Sequence, residues 1–109
     1  MTRDEQLEDA LSRVAELEDA YGESLIAAAE AESEYRVRFS KAYLAASGTE
    51  QARKAIAICE VERFLRERDR TEAIKEFMRE KIRDAQAAVS ARQSLLKVDI
   101  GNAKAFGGF

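Results

Sequence analysis

Carboxylates one helical turn apart are the first residues in this sequence that could do chemistry: Asp4 with Glu8, Glu5 with Asp9, and Glu30 with Glu34. Pairs of this kind hold metals inside di-metal helical bundles, where further helices add Glu-x-x-His motifs. None of the 109 residues is histidine, so that motif cannot be completed and the pairs read as solvated carboxylates on a helix face. The same absence removes the base from a Ser-His-Asp triad or a Cys-His dyad. Cys59 is the single cysteine, which excludes an internal disulfide. Arg63, one turn on, is the type of neighbour that activates a thiol. Ala55, Ile56 and Ile58 around Cys59 instead favour an inert buried side chain. No glycine-rich phosphate loop is present. The expectation is a protein that is not an enzyme, with no catalytic residues, no cofactor and no metal.

The elements that carry these residues follow from composition. Ala, Glu, Arg, Leu and Lys make up 61 of the 109 residues and proline is absent, which is the signature of long helices or coiled coil. Leu, Ile, Val and Phe together number only 24, so much of the apolar content is alanine, which forms helix but fills little core. The length allows one domain. Its one strong punctuation is Ser47-Gly48-Thr49-Glu50: Gly48 can take the left-handed conformation that ends a helix, and Thr49 can cap the next. The spacing predicts helices over about 3–46 and 50–96, folded back on each other as an antiparallel hairpin spanning residues 1–97. Gly22 is a candidate kink. From Val98 the pattern fails, and residues 98–109 read as a flexible tail. Phe106 and Phe109 on it could fill a partner's pocket or pack back on the bundle. The longest apolar runs are five residues, against roughly 20 for a membrane span. The polar, acidic start carries no secretory pattern, so the expected location is cytoplasmic.

Heptad spacing supports the hairpin. Leu7, Leu11, Val14, Tyr21, Leu25, Ala28, Tyr35, Phe39, Ala42 and Ala46 step by threes and fours, with Glu18 and Glu32 falling where apolar residues belong. In the second helix Ala57, Val61, Phe64, Thr71, Ile74, Met78, Ile82, Ala85, Val89 and Leu96 do the same, with gaps at Arg68 and Arg92. A lone hairpin buries one stripe per helix. Ile26, Val37, Tyr43 and Leu44, and Ile56, Ile58, Leu65, Phe77 and Leu95, lie off these stripes. Their number favours a homodimer or higher oligomer, assembled as a four-helix bundle. Leu11, Leu25, Tyr35, Phe39, Phe64, Met78 and Ile82 are the candidate interface.

The net charge of −3 divides unevenly: residues 1–34 carry −9 and residues 35–109 carry +6. In a hairpin the acidic stretch would lie beside Arg63 to Arg83, so part of the asymmetry should be internal pairing that sets register. By that register the run Arg66 to Glu72 would face Ser24 to Glu30, its arginine stems covering alanine. Around the turn, Arg36, Arg38, Lys41, Arg53 and Lys54 interleave with Tyr35, Phe39 and Tyr43. Cations among aromatics can grip a nucleic-acid strand. Against that stand a pI near 5.1 and the place of Tyr35 and Phe39 on the apolar stripe.

The stretch Glu34 to Leu44, then Ser47-Gly48-Thr49, Ala52-Arg53-Lys54-Ala55, Cys59-Glu60-Val61-Glu62 and Arg92-Gln93-Ser94-Leu95-Leu96, resembles small uncharacterised phage-encoded helical accessory proteins. The resemblance covers roughly residues 20–97. It implies a phage accessory protein of the host cytoplasm, of the kind encoded near recombination or replication genes, and assigns no residue a biochemical role. The Trp-x-Gly turn of the small secreted WXG-type hairpins is missing. The expected function is a noncatalytic oligomeric protein that binds a protein partner, as adaptor, inhibitor or accessory factor. The alternative is a nucleic-acid accessory factor working through Arg36, Arg38, Lys41, Arg53 and Lys54.

Overall fold

The computed structural model describes residues 1–106, with side chains through Lys104. It contains three helices, α1 (Arg3–Ala45), α2 (Glu50–Glu60) and α3 (Glu62–Phe106), and no strand among the described residues. The fold is all-α, an antiparallel helical hairpin in which α1 runs against α2 and α3.

The hairpin bend forms from the residues the sequence supplied for it. Gly48 sits at φ +112°, a conformation that side chains with a Cβ rarely adopt. Thr49 accepts a hydrogen bond from the Ala52 N–H at 3.2 Å through its hydroxyl and so caps α2. Glu50 follows in the first turn, where the helix dipole favours an anion. A Cβ at position 48 would meet only ordinary contact, 3.5 Å from Ala52 Cβ. The cost of Gly48→Ala is therefore backbone strain, about 1–2 kcal/mol, and urea unfolding should show an unfolding free energy lower by that amount, with a correspondingly lower midpoint.

Two expectations about the second half need correction. The single helix expected over 50–96 is interrupted at Val61, where φ is −107° and ψ 16°. The Val61 N–H still bonds to the Ala57 carbonyl at 3.1 Å, while its own carbonyl accepts from both Phe64 and Leu65. Val61 is β-branched and only 3% exposed, so burying its side chain outweighs one residue of helical regularity. At the other end α3 continues through Phe106, so the tail expected from Val98 is helical to that point. Asp99 pairs with Arg3 across the helices, and Lys104 lies in the last turn, where a cation suits the dipole. Gly101 is an exposed helix-interior residue there, at a cost of about 1 kcal/mol that does not end the helix. Gly107, Gly108 and Phe109, and the Phe106 side chain, lie outside the described residues. Gly22 does not end α1, which runs unbroken through it.

The chain resolves into two packed units, one of residues 1–20 with the part of α3 from Met78 onward, the other of residues 21–77. In the first, Leu17 is the buried hydrophobic residue, and Arg92 reaches from α3 to Gln6 on α1 at 3.2 Å. In the second, which holds the turn, Ala28, Ala57 and Val61 are buried together with Ser24 and Thr71. Both hydroxyls bond back to their own helix: Ser24 to the Tyr21 carbonyl at 2.7 Å, Thr71 to the Glu67 and Arg68 carbonyls at 3.0 Å each. Arg68, from the run expected to face Ser24–Glu30, reaches Glu32 and Tyr35, its guanidinium over the Tyr35 ring at 4.5 Å.

Candidate functional site

Tyr35, Phe39 and Tyr43 form a ladder along α1 with ring centroids 6.0 and 6.2 Å apart. Arginines from both sides of the turn stack on it and beside it. Arg53 of α2 sits 4.2 Å over Tyr43 and donates from Nη2 to the Tyr43 carbonyl at 3.1 Å. The last turn of α1 holds no basic residue of its own, so Arg53 supplies the cation that its exposed carbonyls favour. Arg53 Nε is buried without a hydrogen-bond partner among the described residues. Arg38 and Arg63 both lie over Phe64, at 4.8 and 5.0 Å.

The five cations proposed from sequence as a binding surface are mostly engaged within the chain. Arg36 bonds to Glu32 and Arg38 to Glu34, each at 2.8 Å, and Lys54 pairs with Glu50 at 3.2 Å. Arg53 is held on Tyr43. Lys41 alone of the five has no partner among the described residues. These are exposed pairs of the kind that contribute about 0–1 kcal/mol each, but they lower the positive field available to an acidic ligand.

Lys41 instead lines a groove of about 300 Å³ beside the Val61 interruption. Ala42, Ala45, Val61 and Phe64 are its apolar lining, and Arg38, Lys41 and Glu60 are its charged lining. Among the described residues neither Lys41 nor Glu60 is in an ion pair. Leu44, one turn from Lys41 on α1, is 76% exposed.

The residues suggested for an oligomer interface divide in two. Tyr35, Phe39, Phe64, Met78 and Ile82 are half-buried, whereas Leu11 and Leu25 are 48% and 41% exposed. Exposed apolar side chains recur one turn apart on α3, as Ile74 with Phe77 in the turn unit and as Leu95 with Val98 in the other.

Of the cations expected to face the acidic stretch, Arg68 reaches Glu32 on α1, while others pair within their own helix. Arg66, Arg70, Lys75 and Arg83 pair along α3 itself, with Glu62, Glu67, Glu72 and Glu80. Helical spacing of three and four brings those partners together without any tertiary alignment. Asp4, Glu8, Asp9, Glu18, Asp19 and Glu23 are exposed and carry no ion pair among the described residues. A strongly forked pair joins Glu67 to Arg70, at 2.6 and 2.9 Å. Hydrogen bonding from Arg70 holds the Glu67 carboxyl below the ordinary glutamate value and pushes the guanidinium up. Whatever this pair contributes is present above the ordinary glutamate range and lost as pH falls through the lowered value. A carboxyl-carbon NMR titration should find Glu67 protonating at lower pH than an ordinary exposed glutamate, and Arg70→Gln should restore the ordinary value.

Cys59, expected as a buried thiol, is exposed. The face of α2 that packs carries Ala57 and Val61, and Cys59 lies two residues from each, so it turns outward. One thiol per native chain should react with an aromatic disulfide reagent without denaturant; a reaction that needs unfolding would contradict this placement. The carboxylate pairs at 4 and 8, 5 and 9, and 30 and 34 are likewise on exposed helix surface. Among the described residues no helix is long and apolar enough to cross a membrane. No protein-family model, no curated protein and no solved structure matches this chain.

Proposed function

We propose that this protein is a noncatalytic helical scaffold that assembles with copies of itself and presents its remaining apolar surface to a protein partner, as an adaptor or accessory factor. The observation that carries this reading is the imbalance between core and surface. Among the described residues the buried hydrophobics are Leu17, Ala28, Ala57 and Val61, two of them alanines, while Ile26, Leu44, Phe77 and Val98 are each more than half exposed. A core so small leaves a chain of this size marginal, and assembly is a usual remedy. Full burial of each exposed aliphatic or aromatic side chain is worth roughly 1.5–3 kcal/mol. The pairs Ile74 with Phe77 and Leu95 with Val98 have the one-turn spacing by which a helix docks in an apolar groove. A phage accessory role of the kind the sequence pattern resembles is compatible with such a scaffold.

The test is sedimentation equilibrium combined with thermal melts at several protein concentrations. A self-assembling scaffold has a mass that is a multiple of the 12.2 kDa chain and a melting temperature that rises with concentration. A single-chain mass with a concentration-independent melt would remove the reading.

A further inference from the structure

We infer that the groove beside Val61 is half of a two-fold contact between two copies of this chain, with Leu44 of each copy seated in the groove of the other. This rests on the reading of the protein as a self-assembling scaffold and names the surface that does it.

Four parts of an interface lie together in the turn unit. Leu44 is a projecting side chain, 76% exposed, on the same face of α1 as Lys41 and beside Ala45. Ala42, Ala45, Val61 and Phe64 give an apolar lining to a groove whose volume, about 300 Å³, exceeds a leucine side chain. Lys41 is a cation and Glu60 an anion in the lining of that groove, and neither is in an ion pair among the described residues. In a two-fold contact, residue i of one copy meets residue j of the second, and j meets i. A surface that carries a knob, a hole, a cation and an anion is complementary to itself. Rotation of a second copy brings its Leu44 to this groove and its Glu60 to this Lys41, and the reverse contacts form at once. A different protein would have to present the same four groups independently, whereas a second copy presents them by symmetry. The other cations nearby do not compete for Glu60, since Arg38 is bonded to Glu34 and Arg53 is held by Tyr43.

The test uses the full chain and charge reversal at Lys41 and Glu60. Lys41→Glu and Glu60→Lys each place two like-charge contacts in the dimer, and each alone should weaken self-association by about tenfold or more. Mixed in equal amounts they should recover it as a heterodimer. One of its two contacts then pairs the introduced carboxylate with the introduced ammonium, and the other keeps the native Lys41 against the native Glu60. Leu44→Ser should weaken association without rescue by either. All three positions are exposed, and circular dichroism will verify that the helices persist. Wild-type oligomers with variants that associate equally well would overturn this contact and leave the scaffold reading standing. Weakened single variants whose mixture does not recover would also overturn the two-fold pairing. A wild-type chain that is monomeric throughout would overturn both.

Discussion

Ala57→Asp is expected to leave the chain largely without helix at neutral pH and 25 °C, whereas Ala57→Ser should keep the fold and melt somewhat lower. Ala57 is the one described residue at 0% exposure among the buried hydrophobics, and it lies on the 11-residue helix α2. Helices this short are marginal in water, so α2 depends on the face that Ala57 and Val61 press against the rest of the turn unit. A carboxylate at position 57 would lose its hydration there. Of the cations of α2, Lys54 is paired with Glu50 and Arg53 is stacked on Tyr43, which leaves only the buried Arg53 Nε, one turn away, to meet that carboxylate. An unpaired buried charge costs several kcal/mol even after relaxation. A chain of this length has about 5–15 kcal/mol of stability in all, and the small core argues for the lower end. Far-UV circular dichroism decides the matter: a native spectrum and melt for Ala57→Asp would show that this position is not packed.

Which parts of the fold could be read from sequence depended on whether the signal was local. The bend at Ser47-Gly48-Thr49-Glu50 was legible because a left-handed glycine and a threonine cap act within four residues, and both are found there. The packing stripe was legible only at alternate positions. Steps of three and four that pass through Leu11 and Leu25 put Glu18 and Glu32 on the stripe. The chain packs instead through half-buried Ala10, buried Leu17 and buried Ser24, one residue earlier each time. Small residues at the contact let helices approach closely, and hydrophobicity alone does not register that. On α3 the same stepping passes through Ile74, which is 40% exposed, and beside Lys75, whose side chain is only 19% exposed and paired with Glu72. Arg68, read as a gap, is a packing member through its stem and its stacking on Tyr35. The candidate groove was not legible at all. It depends on the interruption at Val61 and on which lysine and glutamate are left unpaired, and neither is a pattern in spacing. The basic cluster near the turn was visible as composition, but its neutralisation by Glu32, Glu34 and Glu50 follows from rotamers that composition does not specify.

The displaced stripe makes its own prediction. Leu17→Ala should cost about 2–5 kcal/mol, the range for truncating a buried leucine, while Leu11→Ala and Leu25→Ala should cost about 1 kcal/mol or less. The three residues have the same side chain on the same helix, so helix propensity cancels and burial decides. Leu17 is 5% exposed, against 48% and 41% for the others. Urea unfolding of the three variants at two protein concentrations separates packing within the chain from contact between chains. The Leu17 penalty arises inside one copy and stays the same at both concentrations. A penalty at Leu11 or Leu25 that changes with concentration would place that residue in the assembly interface, as its exposure permits. Losses at Leu11 and Leu25 that exceed the loss at Leu17, independent of concentration, would mean that the helices pack through Leu11 and Leu25 after all. Leu17 would then have to face solvent, and the unit formed by the start of α1 with the end of α3 would lose the buried large side chain it has among the described residues.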